Sequence, residues 1–191
     1  MSSSPHDHQI ERWSSLRSAF YSLVFRSPAS NRAVVEHAGV GPGDRVLDIG
    51  SGPGAALQHA SALGAEVYGV DPTPSMVTKA RRRVPNAVIS EGSAEALPFE
   101  DGVFSHVWTI SAFHHWASPG TGIDEVRRVL APGGTFLVVE RQLRPGKDGH
   151  GFDLAHARDV SDQLADHGFR DSAVETIHAR RARYFVVSGR V

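Results

Sequence analysis

The segment Val46-Leu47-Asp48-Ile49-Gly50-Ser51-Gly52-Pro53-Gly54 sets three glycines at alternate positions behind a short apolar run, with an acid two residues ahead of the first glycine. Glycine lets a backbone turn sharply and lets a ligand approach the main chain closely. A helix starting just beyond such a loop offers free N–H groups to anionic ligand atoms. Asp71 stands 71 − 50 = 21 residues after the first glycine, a spacing that suits an acid accepting hydrogen bonds from ribose hydroxyls. Two cofactor classes satisfy this much, because Gly50, Gly52 and Ala55 also fit the dinucleotide pattern G-x-G-x-x-A. Asp48 separates them. At the carboxyl end of a strand its charge would face the pocket, repel a pyrophosphate and favour a ligand carrying an ammonium and a sulfonium. An NAD-dependent oxidoreductase is the rival enzyme, and it lacks a recognisable hydride-transfer site here.

A second group, Ser111 to His115, follows a later apolar run. An imidazole near neutral pKa can take a proton from an acceptor hydroxyl, so His114 and His115 are the candidate catalytic residues, His114 first. Adjacent histidines on a regular element point different ways and make a poor metal pair. His150, Asp153 and His156, three apart, are explained by loop and cap positions. The expectation is therefore no metal. The chain has no cysteine, which excludes disulfides, thiolate metal sites, iron–sulfur clusters and a cysteine nucleophile.

These residues need a frame. Short apolar runs alternate with mixed segments: strands at Arg45–Ile49, Glu66–Val70, Ala87–Ser90, His106–Ile110 and Thr135–Glu140, and helices at Ala55–Leu63, Ser75–Arg83, Ile123–Leu130 and Leu154–His167. Ala173–Ala179 and Arg183–Ser188 close the chain as a hairpin. Nearly all-apolar strands separated by helices mean a mostly parallel sheet covered on both faces, and right-handed crossovers make it doubly wound. The fold expected is α/β: a Rossmann-like, doubly wound, mostly parallel seven-stranded sheet with a C-terminal antiparallel hairpin. The 191 residues suit one domain. Residues 1–8 read as a loose tail. Residues 9–26 read as an amphipathic helix, its stripe formed by Ile10, Trp13, Leu16, Phe20 and Leu23, that covers the acceptor side. A second helix follows the Ser27-Pro28 break.

With 20 basic and 21 acidic residues the formal charge is −1, so no global basic field drives nucleic-acid binding. No apolar run exceeds four residues, which leaves nothing to span a membrane. The start has no apolar h-region, and the expected compartment is the cytoplasm.

Five motifs in order resemble the class I S-adenosylmethionine-dependent methyltransferases, in their small type-11 branch. They are Val46–Gly54, Gly69–Met76, Gly92–Phe99, Val107–Trp116 and Glu125–Gly134. The resemblance implies S-adenosylmethionine as cofactor, S-adenosylhomocysteine as product and a small-molecule acceptor. It implies that Asp48, Gly50, Ser51, Gly52 and Gly54 take the amino-acid end and backbone side of the cofactor. Asp71, Pro72 and Met76 fall at the ribose, Ser93, Ala94 and Glu95 at the adenine, and Ser111 at the acceptor edge. Ser93 stands where the family often has an acid, and a neutral acceptor makes a bond about half as strong as a charged one. A cofactor-binding partner or regulatory protein without turnover is the alternative of another class.

Overall fold

The computed structural model describes residues 28–143 and 149–191. The expected tail and cover helix, residues 1–26, lie outside them. The first described element is a helix, α1 (Pro28–Ala38). It begins at Pro28 itself, where a missing N–H breaks no helical bond, and it closes at Gly39, whose φ of +68° is the left-handed conformation that ends helices.

Five strands pair in parallel: β1 (Arg45–Ile49), β2 (Glu66–Asp71), β3 (Val88–Glu91), β4 (Phe104–Ile110) and β5 (Leu130–Arg141). The hairpin of β6 (Arg170–Ala179) and β7 (Ala182–Arg190) is antiparallel, and β7 lies antiparallel on β5. The sheet order is β3-β2-β1-β4-β5-β7-β6, the seven-stranded arrangement expected. The intervening helices are α2 (Ala55–Ala62), α3 (Pro74–Arg83), α4 (Pro119–Val129) and α5 (Leu154–Asp166). Strand alternation divides the core. Leu47, Val107, Phe136 and Val138 pack with Ile123 and Val126 of α4 and Val160 and Leu164 of α5. Val46, Trp108, Leu137 and Val139 pack with Val34 and Val35 of α1, Leu57 of α2 and Ala80 of α3.

The strand expected at Thr135–Glu140 is longer. Phe104 pairs with Leu130 before the register shifts to His106 opposite Thr135, with Pro132-Gly133-Gly134 in the irregular stretch. Such bulged turns carry no period-two signal. Strand order reverses between β1 and β4, and in sheets of this kind ligands sit beyond the carboxyl ends at that point. Among the described residues no helix is long and apolar enough to cross a membrane.

Candidate active site

The glycine loop hangs on the end of β2. The N–H groups of Gly50 and Ser51 both donate to Val70 O, at 2.8 and 3.1 Å. Gly50, Gly52 and Gly54 have φ of +73°, +50° and +77°, a region costly for residues with a Cβ. Their surroundings differ. A Cβ on Gly50 would lie 2.5 Å from Ala112 Cβ, and one on Gly54 3.2 Å from Ala80 Cβ, whereas a Cβ on Gly52 would meet nothing within 4 Å. Gly50 and Gly54 are thus packed against the fold, and Gly52 faces open space. Ser51 Oγ is buried without a hydrogen-bond partner.

Asp71 is 6% exposed. Its Oδ2 accepts from Gly52 N at 2.8 Å and its Oδ1 from Thr73 N at 2.9 Å, so the acid ties the glycine loop to the start of α3. Burial raises its pKa, against the pull of those backbone bonds and of the Thr73 hydroxyl. Asp48 is 3% exposed, and burial pushes its pKa up to about 7. The Trp108 indole, buried beside it without a hydrogen bond of regular geometry, pulls the value down, and the Asp71 carboxylate pushes it up. In the ligand-free chain Asp48 is therefore poised between neutral and charged at pH 7, and a cation placed beside it would favour the charged form.

After β2, Pro72 is exposed and Met76 of α3 is buried; after β3, Ser93 is exposed and Ala94 is buried. The carboxylate of Glu95 accepts from Ala117 N at 2.8 Å and Ser118 N at 3.1 Å. Burial opposes its ionisation, but those bonds and one from Ser93 hold its pKa below the usual range. Glu95 thereby ties the loop after β3 to the start of α4. Arg128 does the same from the other end of α4, donating to Leu97 O, Phe99 O, Asp101 and Glu125 at 2.7–3.0 Å. In the run Arg81-Arg82-Arg83, a plain solvated helix end by sequence, Arg81 donates to Ile89 O and Arg83 to Pro53 O. These long-range bonds have no sequence signal, since an arginine at a helix C-terminus satisfies the helix dipole wherever its head group goes.

The turn after β4 is built differently. Ser111 has φ of +53°, uncommon for a residue with a Cβ and frequent at functional turns, and its N–H donates to Val139 O. A 3-10 turn, Phe113–His115, follows. His114 Nδ1 lies 2.9 Å from Oε1 of Glu140 on β5, and its Nε2 lies 3.1 Å from His150 Nδ1. Glu140 is 1% exposed, and its Oε2 has no partner. An ionised carboxylate accepts, which pairs Glu140 with the Nδ1–H of His114 and directs Nε2 at His150. The rings of His114 and His115 are 4.0 Å apart, against the expectation that adjacent histidines diverge. A tight 3-10 turn between β4 and α4 is not a regular strand or helix and carries no such rule. Burial, then repulsion from His114 and His150, pushes His115 down to about 4. One ligand atom from each of His114, His115 and His150 lies within 4.8 Å of the others. The expectation of no metal thus rested on a geometry that the structure does not have. Asp153 and His156 instead cap the start of α5, through Asp153 Oδ1 and His156 N at 2.9 Å. Glu140 was not singled out in the sequence, and His150 was read there only with Asp153 and His156 as a loop position. An acid ending an apolar strand was the available signal for Glu140.

A profile of the methyltransferase domain, type 11, matches residues 47–138, from β1 through β5. The chain belongs to this branch of the class I S-adenosylmethionine-dependent methyltransferases. It is 36% identical over 138 residues to an uncharacterized methyltransferase of Synechocystis sp., covering 67% of this chain and 65% of that one. It is 37% identical over 115 residues to the demethylmenaquinone methyltransferase of Beutenbergia cavernae, covering 60% and 48%. The chain thus spans about half to two thirds of the length of these relatives. In fold it is similar to a SAM-dependent methyltransferase from Aquifex aeolicus (TM-score 0.71, 21% identity, covering 90% of this chain and 93% of that one). It is also similar to a Haemonchus contortus phosphoethanolamine N-methyltransferase in complex with phosphomonomethylethanolamine and S-adenosylhomocysteine (TM-score 0.77, 18% identity, covering 94% and 58%). The residues present fit the family's cofactor: an open left-handed Gly52, a buried Ser51 Oγ without a partner, and two acids at adjacent strand ends.

Proposed function

We propose that this chain transfers a methyl group from S-adenosylmethionine to a small-molecule acceptor. The observation that carries the reading is the alignment of Asp48, the open Gly52 and Asp71 at the point where strand order reverses. When bound, the cofactor supplies an electrophilic methyl on a sulfonium, and the protein supplies position and electrostatics. Asp48 faces the ammonium of its amino-acid end, directly or through water. Asp71 keeps lone pairs beyond those given to Gly52 and Thr73 and accepts from the ribose hydroxyls. Pro72 and Met76 flank the ribose, and Ser93 and Ala94 the adenine. Glu95 acts here by holding the loop, and Ser111 borders the acceptor. His114 takes a proton from the acceptor at Nε2, with Glu140 stabilising the imidazolium through Nδ1. A small-molecule acceptor is in keeping with the relative named demethylmenaquinone methyltransferase.

Isothermal titration tests the cofactor, with S-adenosylmethionine and S-adenosylhomocysteine binding and NAD giving no heat. NAD binding of equal strength would overturn the reading. Turnover is followed by S-adenosylhomocysteine release across a panel of phenols, quinols and amines. Cofactor binding with no turnover on any of them would favour a partner or regulatory protein. His114→Ala lowers turnover about 10²-fold or more with cofactor affinity retained if it is the base; a loss under tenfold would leave it as pocket wall.

A further inference from the structure

The histidine corner carries more than a general base needs. His114 and His115 come from the turn after β4, and His150 from a segment 36 residues later in the chain than His114. We propose that His114, His115 and His150 bind one divalent transition-metal ion of the zinc class, with Glu140 orienting His114 from behind.

Zinc–imidazole bonds of 2.0–2.1 Å put tetrahedral ligand nitrogens about 3.3 Å apart. His114 Nε2 and His150 Nδ1 are already 3.1 Å apart, and the widest separation in the trio, within 4.8 Å, closes by about 1.5 Å, within reach of side-chain rotation. Metal-bound histidines characteristically donate their second ring N–H to a carboxylate, which fixes the tautomer and raises ligand basicity. Glu140 Oε1 accepts that bond from His114 Nδ1. Its other oxygen, Oε2, is buried without a partner, and a carboxylate oxygen buried without one is costly. Three imidazole nitrogens and no first-line carboxylate suit zinc, cobalt, nickel or copper and not magnesium or calcium, which require oxygen ligands. Three protein ligands leave a fourth position for water or an acceptor oxygen. An ion here would lie beside the turn that borders the acceptor and would take the His114 Nε2 lone pair; with the ion bound it would lower the pKa of a coordinated hydroxyl in place of proton transfer to His114, which serves as base only without the ion. That use of the ion rests on the methyl-transfer reading; binding of the ion does not.

The test is titration of the full chain, freed of metal by chelation, with Co(II) and Zn(II), in a His6→Ala/His8→Ala background that removes the tail histidines as competing ligands. The expected result is one ion per chain, with the intense visible bands of four- or five-coordinate Co(II). His150→Ala and His115→Ala each weaken binding at least 10²-fold, and Glu140→Gln weakens it 10–100-fold. His156→Ala leaves it unchanged. Far-UV circular dichroism checks that each variant is folded, and the His150 side chain lies at the surface, so its removal does not open the core. No binding, a weak octahedral Co(II) spectrum, or affinity unaltered by His150→Ala would overturn the site and mark any uptake as an adventitious ion only. Loss of the ion with cofactor binding intact separates this site from the cofactor reading, and failure of cofactor binding with the ion retained overturns that reading alone.

Discussion

The glycine corner after β1 and the histidine corner after β4 lie on the two sides of the point where strand order reverses, and they are made of different material. After β1 the site is main chain. Three left-handed glycines, two of them pressed against Ala112 and Ala80, are tied by backbone bonds to Val70 and by Asp71 to the next loop. After β4 it is side chain: three imidazoles on a short turn and a distant loop, propped by one buried carboxylate of β5. A corner made of backbone cannot be altered without straining the fold, because a new Cβ at Gly50 or Gly54 meets fixed atoms and one at Gly52 sits on a left-handed backbone. A corner made of side chains can be emptied while the sheet beneath it stays.

The largest expected effect follows from that difference. Gly50→Ala costs roughly 2–5 kcal/mol by urea unfolding, the sum of a left-handed penalty and overpacking against Ala112. Gly52→Ala costs about 1–2 kcal/mol, the conformational penalty alone, and falls mainly on cofactor affinity. Equal stability losses at the two positions would break the distinction between packed and open glycines.

Next is the pH behaviour of Asp48. Its folded pKa of about 7 lies above the unfolded value of 3.8, so the folded chain binds the extra proton. The stability that this proton supports is present below about pH 4 and is lost as pH rises towards 7. Asp48→Asn removes that loss. The variant is expected to gain roughly 2–4 kcal/mol on wild type between pH 4 and pH 8, read from unfolding curves across that range. A difference independent of pH would mean that Asp48 is already ionised and paired. In the same window, S-adenosylhomocysteine affinity of the wild type rises with pH.

Asp71→Ala leaves Gly52 N and Thr73 N without their acceptor and is expected to cost about 1–3 kcal/mol in stability, with a loss of ribose contacts added in the cofactor titration. Affinity falling with no change in stability would place Asp71 with the ligand and not with the loop. The smallest effects belong to the helix start beside the histidine corner. Asp153→Ala lowers the melting temperature slightly by loss of a cap, and His156→Ala, which removes only an exposed pair, lowers it less. A thermal melt of each variant checks the order.

Local chemistry was legible in the residues. Val46–Gly54 could be read as strand, loop and helix start because each part obeys short-range rules: apolar strand positions, left-handed glycines and a helix N-terminus. Register followed, because Asp71 ends β2 as Asp48 nears the end of β1. The hairpin and the parallel sheet were equally visible, since alternation and apolar runs depend on near neighbours. Burial of charge was not. Asp48 reads as an acid facing a pocket until Gly69 and Trp108 are laid on either side of it by strand pairing, Glu95 reads as an adenine-side residue until Ala117 N and Ser118 N donate to it, and nothing in the chain around Arg81, Arg83 and Arg128 shows the loops they hold. The histidine corner was the least legible. Whether two adjacent rings meet depends on a 3-10 turn. Whether a third joins them depends on where the 149–151 segment returns beside β5, with Phe152 N donating to Arg141 O. Hydrogen bonds within one element are set by spacing along the chain. Contacts between side chains 26 and 36 residues apart are set by the three-dimensional path between them, which only the packed sheet decides.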